Sequence, residues 1–211
     1  MARVSDALLK QWDEEGFVVV EGALQGDDLL RLQTAFERCA QEAKAEWLDE
    51  VAAGTRPGAF FDIPKPLEKD DAFAALPDHP SYIDLLVAFL GEDHVFQGAQ
   101  VRTLPPSPVT YVGWHPDLSH DDKPKHIKLQ LYVEDVPADG GAFAFVPGSH
   151  KPDAGPYPVY DVLEEMPGHR VFAGAAGTAI LFDNFGWHTS MVNTTRLPRK
   201  SIILSYHARE P

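Results

Sequence analysis

Hydrophobic residues recur at helical spacing in the first part of the chain. From Asp27 to about Val51 they fall every three or four positions, which predicts a long amphipathic helix with Asp27 or Asp28 as N-cap. Ser5 to Gln11 predicts a short helix, and "SYIDLLVAFLGED" predicts another that ends at Gly91. The β-branched run in "GFVVVEGAL" predicts a strand. Prolines at five positions predict an irregular excursion from Gly54 to Pro80.

From Val95 onward the pattern changes to short apolar runs separated by Pro, Gly and Asp. Because no segment between these runs is a crossover helix, they predict antiparallel strands in a sandwich, barrel or jelly roll. The segment "KPDAGPYPVYDVLEEMPGHR" interrupts them and predicts a loop or lid. The runs are "VFQGAQVRTL", "VTYVGWH", "HIKLQLYVEDV", "AFAFVPG", "GTAILFD", "WHTSMVN" and "SIILSYHA".

Length and composition restrict the classes of protein. The 211 residues suit a single domain with a helical part at about 1–94 and a β core at about 95–211. The net charge of −14 argues against a nucleic-acid partner. Cys39 is the only cysteine, which excludes an internal disulfide, and its place in the helical pattern predicts a buried thiol. No apolar run is long enough to cross a membrane, and the charged start does not resemble a secretory signal, so we expect a cytoplasmic protein.

The stretch "YVGWHPDLSH" contains the first candidate chemistry. His115 and Asp117 are two residues apart, so both side chains can project from one face of a strand. Pro116 cannot donate to a sheet ladder, which predicts a strand end. The triplet alone is a weak signal, because His120 and Asp122 repeat the spacing within a polar loop.

A facial iron site is formed by two histidines and one carboxylate, so His115 and Asp117 need a second histidine from elsewhere in the chain. We favour His188, since it follows a buried-type strand and a turn and would face a barrel interior. His150 and His169 lie in Pro-Gly turns, where solvent exposure is the simpler interpretation, while His126 and His207 remain ordinary strand residues.

Arg199 follows His188 by eleven residues and begins an apolar strand. An arginine that enters a barrel strand is costly unless it meets an anion, and its planar fork matches a carboxylate. The alternative is that Arg199, or nearby Arg196, pairs with a surface carboxylate.

The motifs "GWHPD", "GGAFAFVPGSHK", "GTAILFDNFGWHTS" and "NTTRLPRKSIILSYH" together resemble the phytanoyl-CoA hydroxylase-like family of Fe(II)/2-oxoglutarate-dependent dioxygenases. The opening "WDEEGFVVVEGAL" is also similar to this family, so the likeness spans most of the chain. The resemblance implies a mainly β fold with flanking helices, in which a double-stranded β-helix (a cupin-like jelly roll) follows a helical N-terminal part.

The same resemblance implies roles for individual residues. His115, Asp117 and His188 would bind Fe(II), and Arg199 would bind the distal carboxylate of 2-oxoglutarate. Ser190 and Gln100 match positions that often help to hold or face the co-substrate. Leu104 departs from the family, since many members have a lysine there.

The implied reaction uses O2 and 2-oxoglutarate to oxidise a C–H bond of a small molecule, most simply by hydroxylation. A carboxylate at Asp117 argues against halogenation, whereas desaturation, epoxidation and cyclisation stay open. A free small metabolite is favoured over a CoA thioester because the chain is acidic, although Lys123, Lys125 and Lys128 cluster after the triplet.

We expect Phe60, Phe61 and residues 157–160 to form the walls of the substrate pocket. Two alternatives remain: a cupin-type metal enzyme that does not use 2-oxoglutarate, and a metal-free binding or structural jelly roll.

Overall fold

The computed structural model describes residues 4–56, 58–106, 113–120, 124–157 and 166–209. Its helices are α1 (Asp6–Glu15), α2 (Gly26–Ala52), α3 (Asp71–Ala74) and α4 (Ile83–Leu90), with a 3-10 helix at Pro66–Glu68. Its strands are β1 (Phe17–Val20), β2 (Phe61–Ile63), β3 (Val95–Leu104), β4 (His126–Tyr132), β5 (Phe143–Phe145), β6 (Arg170–Phe172), β7 (Ala179–Asp183), β8 (His188–Ser190) and β9 (Arg199–His207).

The N-terminal helices follow the predicted pattern, with one correction. The Ser5 hydroxyl accepts from the Leu8 N–H and caps α1, and Gly91 closes α4 as expected. The predicted N-cap of α2 at Asp27 or Asp28 is wrong, because Gln25 occupies the cap and both aspartates lie in the first turn. There their negative charges still favour the helix, since they lie near its positive N-terminal end.

The strands form two antiparallel sheets, which confirms the mainly β jelly-roll fold. The larger sheet has the order β1-β7-β4-β9-β3-β2, and the smaller has the order β6-β5-β8. Two strand predictions need correction. The excursion at 54–80 is not wholly irregular, since β2 pairs with β3, and β6 begins at Arg170 inside the predicted interruption. Most of "VTYVGWH" lies outside the described residues, and His115 forms only an isolated bridge with His188.

Alternation along the central strands separates two environments. One face of the larger sheet presents aliphatic side chains such as Leu129, Leu131, Ile202 and Leu204, all fully buried against the helical layer. Cys39, 1% exposed, lies in the same cluster, which confirms the predicted buried thiol. Residues of the opposite face point between the two sheets. The N-terminal helices therefore cover one face of the sheet and leave the other face for the site.

The face between the sheets is partly aromatic and partly polar. One end is filled by a cluster of rings from both sheets, in which Phe143 and Phe182 have centroids 4.5 Å apart. The other end is lined by polar side chains of β3, β4 and β9. Among the residues that the structure describes, no helix is both long and apolar enough to span a bilayer.

Candidate metal centre and co-substrate pocket

Two distant segments meet at the opening between the sheets. The backbone of His115 exchanges two hydrogen bonds with that of His188, of 3.2 and 3.0 Å, although 73 residues separate them. The Asp117 N–H donates to the Asn184 carbonyl at 3.1 Å. These main-chain bonds fix the 113–120 segment against β8 and the turn that precedes it.

The side chains of the predicted triad converge at this junction. One ligand atom from each of His115, Asp117 and His188 lies within 4.8 Å of the other two. The Asp117 carboxylate is 3.7 Å from His115 Nε2 and 3.3 Å from His188 Nε2. Such spacing matches three ligands around one ion. No other such group of histidine, cysteine or carboxylate side chains occurs in the described ranges.

Both imidazoles are oriented through their other ring nitrogen. His115 Nδ1 lies 2.8 Å from the Gly113 carbonyl, and His188 Nδ1 lies 2.9 Å from the Gly186 carbonyl. A carbonyl can only accept, so each Nδ1 carries the proton in the neutral ring and each Nε2 has its lone pair free. This is the tautomer that a metal ligand requires.

Burial and neighbouring charges shift the pKa values of the three triad side chains. Burial lowers the pKa of His188, which favours the neutral imidazole. Burial opposes ionisation of Asp117, but the adjoining His115 and His188 side chains and the charge of Lys128 hold the pKa of that carboxyl far below its usual range. For His115, burial acts to lower the pKa, yet Asp117 and the Gly113 carbonyl raise it overall. The donor set is thus a carboxylate and two imidazoles, one of them held neutral by burial, which suits a facial site for Fe(II).

Arg199 lies beside this group rather than at the surface. It is the first residue of β9 and only 3% exposed, and its Nη1 donates to the Ser190 hydroxyl at 2.9 Å and to the Gly141 carbonyl. Ser190 is two residues beyond His188 in β8, so it lies about 7 Å further along the same side of the strand. Leu104 is the cross-strand neighbour of Arg199.

A cavity of about 200 Å³ contains the triad and the inner-face side chains near it. The predicted residue Gln100 lines it from β3, and Ser190 lines it from β8. Sequence reasoning missed Arg102 and Gln130 and did not assign Lys128 to the site, although all three line this cavity. The two-residue alternation of the strand could have identified two of them, because it places Lys128 and Gln130 on one face of β4. A larger groove of about 830 Å³, between α2 and α3, contains none of the triad.

The remaining histidines have other surroundings. The prediction that His150 is solvent-exposed is wrong, because its Nδ1 is buried and its ring packs on the Gly16 backbone. His169 is half-buried, with its ring 5.3 Å from that of Trp114. His120 is exposed and stacks on Phe185, outside the triad.

His126 and His207 stack on each other at 5.2 Å across β4 and β9, outside the triad. They therefore stay ordinary strand residues, as predicted.

The aromatic residues that were expected to form the walls of the substrate pocket have different surroundings. Phe61 is 8% exposed and packs on Trp47, so the prediction that it forms a wall is wrong. The Arg102 guanidinium lies over the ring of Phe60, with its central carbon 3.9 Å from the ring centroid. Tyr157 packs beside Trp187, with centroids 5.6 Å apart, and residues 158–160 lie outside the described part of the chain.

Residues 12–201 match the family model described as phytanoyl-CoA dioxygenase (PhyH). The chain belongs to this family. It is therefore an oxidoreductase of the Fe/2-oxoglutarate-dependent dioxygenase class. A curated relative is ectoine dioxygenase from Nocardia farcinica, which is 24% identical over 96% of this chain and 77% of the relative.

Solved structures share the fold. HygX from Streptomyces hygroscopicus, with nickel, 2-oxoglutarate and hygromycin B bound, superposes with a TM-score of 0.75 at 15% identity, over 97% of this chain and 88% of HygX. The carbocyclase SnoK from nogalamycin biosynthesis, a non-haem enzyme dependent on alpha-ketoglutarate, superposes with a TM-score of 0.69 at 17% identity, over 97% of this chain and 84% of SnoK. Folds of this type therefore serve more than one reaction.

Proposed function

We propose that the protein hydroxylates a C–H bond of a small organic metabolite and converts 2-oxoglutarate to succinate and CO2. In this proposal His115, Asp117 and His188 hold Fe(II), and Arg199 receives the distal carboxylate of 2-oxoglutarate. The observation that carries it is the convergence of the three ligand groups within 4.8 Å, with a buried arginine directed at the same strand, β8.

The distance along β8 suits a co-substrate that bridges the metal and the arginine. A five-carbon dicarboxylate that chelates the metal near His188 would reach Ser190 and Arg199 with its far end. Two charge-assisted hydrogen bonds from a guanidinium would then hold that carboxylate. Ser190 already accepts from Arg199, which keeps the side chain extended toward the site. Gln100 lines the same cavity from β3 and would face the co-substrate.

When bound, the iron and 2-oxoglutarate supply the activation of O2 that C–H oxidation needs. The protein's own residues supply the geometry around them. The Gly113 and Gly186 carbonyls orient the two imidazoles, and the rings of Phe143 and Phe182 pack against His188 at 5.8 and 4.9 Å. This aromatic wall would exclude water from the His188 side of a bound metal, which would protect reactive chemistry from solvent.

The carboxylate ligand bears on the reaction type. Asp117 would occupy the position that a halide needs in a halogenating enzyme, so the triad favours oxygen transfer over halogenation. Desaturation, epoxidation and cyclisation would use the same residues with a differently placed substrate, and the carbocyclase with this fold keeps cyclisation as the second candidate. A cupin-type enzyme that does not use 2-oxoglutarate is disfavoured because it assigns no anion to the buried Arg199.

An anaerobic titration tests the proposal. Fe(II) and 2-oxoglutarate added to the protein should produce the weak visible metal-to-ligand charge-transfer band of the chelate, and His188→Ala should abolish it. His207→Ala is the matched control, since His207 stacks on His126 outside the triad and its loss should leave the band intact. A wild-type protein that forms no band, or a band unchanged in His188→Ala, contradicts the proposal. We also expect a single-domain enzyme in the cytoplasm that acts on a free small molecule.

A further inference from the structure

Lys128 is the charged neighbour of the triad that the family resemblance does not explain. It lies on the inner face of β4, and its Nζ donates to Asp117 Oδ2 at 2.8 Å. Its side chain is 21% exposed, so a large part of its charge has been removed from water. Burying an ammonium is costly unless it is paired, and here its recorded partner is a carboxylate that a metal would share.

Gln130 lies next to Lys128 on the same face of β4. It is 3% exposed, and its Nε2 is buried without a hydrogen-bond partner among the described residues. An unsatisfied buried amide donor costs roughly 1–3 kcal/mol, so its presence beside a cavity indicates a ligand that accepts from it. Lys128 and Gln130 therefore place a cation and a neutral donor side by side.

The charged side chains that line the cavity are paired with carboxylates. Arg102 and Lys128 line it together with Asp117. Arg102 is held by Asp62 through two hydrogen bonds of 2.7 Å, whereas Lys128 contacts Asp117. A metal bound to Asp117 would compete with Lys128 for that carboxylate, and the ammonium would then attract another anionic group.

The two basic ends of the inner face are far apart. Lys128 pairs in register with Ser205 of β9, whereas Arg199 begins that strand, six residues away. At about 3.3 Å per residue, the backbone positions are separated by about 20 Å along the strand. The carboxylate that reaches Arg199 is therefore not available to Lys128. The Lys128 end instead faces the space beside the metal, since Lys128 contacts the metal ligand Asp117.

We propose that Lys128 and Gln130 form an anion-binding subsite beside the metal, and that the primary substrate is a small acid whose oxyanion group this subsite holds. The inference deepens the proposed function and rests on it. The cavity of about 200 Å³ beside these two donors gives room for a small ligand. A carboxylate or a phosphorus oxyanion would satisfy both donors, and with a metal on Asp117 the ammonium would turn part of its charge to the substrate.

The test uses three probes of similar size: acetate, hypophosphite and the neutral acetamide. Binding is followed through the side-chain amide signal of Gln130 by NMR in Zn(II)-loaded protein, with and without saturating 2-oxoglutarate. We expect acetate or hypophosphite to shift the signal and acetamide to leave it unchanged. Whichever anion binds more tightly tells a carboxylate from a phosphorus oxyanion.

Variants assign the binding to Lys128. Lys128→Gln should weaken anion binding about tenfold or more, because a charge-assisted hydrogen bond is lost, while Lys128→Arg should restore most of it. Lys125→Gln, which removes an exposed lysine three residues away, should bind as the wild type does. In the anaerobic iron titration, Lys125→Gln should keep the charge-transfer band of the 2-oxoglutarate complex, because Lys125 is exposed.

Three results would overturn the inference: acetamide binding as well as acetate, anion binding unchanged in Lys128→Gln, or loss of the anion-induced shift of the Gln130 signal at saturating 2-oxoglutarate. The last would assign Lys128 to the metal and co-substrate instead. Failure of the proposed function is distinct, because it appears as the absence of the band in wild-type protein. The Zn(II) measurement without 2-oxoglutarate still reports on the subsite in that case.

Discussion

Arg199 donates a hydrogen bond of 2.9 Å to the hydroxyl of Ser190, and this bond joins the first residue of β9 to the last residue of β8. Since His188 begins β8, the contact fixes a buried cation at a set distance from the candidate metal centre. In the proposed function, this buried cation is the group that would bind the distal carboxylate of 2-oxoglutarate.

Arg199→Ala should raise the 2-oxoglutarate concentration needed for half-saturation by about a hundredfold, because the loss of charge-assisted hydrogen bonds is worth up to about 3 kcal/mol. Iron content should stay nearly unchanged. Succinate release against 2-oxoglutarate concentration, with iron measured in parallel, gives both quantities. Arg196→Ala is the matched control, since Arg196 is exposed and should behave as the wild type. Equal loss of iron and 2-oxoglutarate binding in Arg199→Ala would indicate a folding role instead.

Gly186→Ala should disturb His188, the proposed metal ligand two residues further along the chain. A Cβ on Gly186 would lie 2.1 Å from the buried ring of Phe145, and the Gly186 carbonyl is the group that orients His188 Nδ1. Overpacking of this kind costs about 1–3 kcal/mol, and the shift of the turn should weaken Fe(II) binding as well. Chemical denaturation and metal titration measure the two effects.

Gly58→Ala provides the control for Gly186→Ala, because a Cβ there meets only Val51 at an ordinary 3.5 Å. It should leave both properties unchanged. Wild-type stability and iron affinity in Gly186→Ala would contradict the argued contact with Phe145.

Asp183→Asn should stabilise the fold at neutral pH. Burial raises the pKa of Asp183 to about 6, so the folded state binds an extra proton between about pH 4 and pH 6 and loses stability as the pH rises through that window. The stabilisation should be about 1–3 kcal/mol at pH 7.5 and vanish near pH 4. Asparagine retains the oxygen that accepts from the Phe185 N–H. Urea denaturation at both pH values measures it, with the exposed Asp153→Asn as control; equal effects at both pH values would refute the assignment.

Tyr132→Phe should lower the free energy of unfolding by about 1–3 kcal/mol without changing metal binding. The buried hydroxyl accepts from the Phe143 N–H at 3.0 Å and donates to the Phe172 carbonyl at 2.7 Å, so its removal leaves two buried groups without this partner. Tyr206→Phe, which loses a single recorded bond to the Pro77 carbonyl, should cost less. Denaturant titration ranks the two variants, and the opposite order would contradict the argument.

The candidate ligand residues could be predicted from the sequence, whereas the charged neighbours of these residues could not. Spacing and family resemblance predicted the site residues His115, Asp117, His188, Arg199 and Ser190. The structure brings together the first three side chains, and it joins Arg199 to Ser190. Each of these residues lies in a short sequence motif, which can be recognised without knowledge of the fold. Lys128 was noticed only as part of a basic cluster, because its contact with Asp117 depends on how β4 lies against the 113–120 segment.

The sequence by itself determined which residues could share a face. Two-residue alternation in "HIKLQLY" and "RKSIILSYH" separates aliphatic side chains from polar ones, and that separation holds whatever the neighbouring strands are. Only the tertiary structure decided which face meets which partner. Strand order and register come from long-range pairings, such as Gln130 opposite Ile203 and Ile203 opposite Gln100, and these arise from packing of the whole core. That packing leaves the Gln130 amide and the Lys128 ammonium in one cavity with the candidate metal ligands.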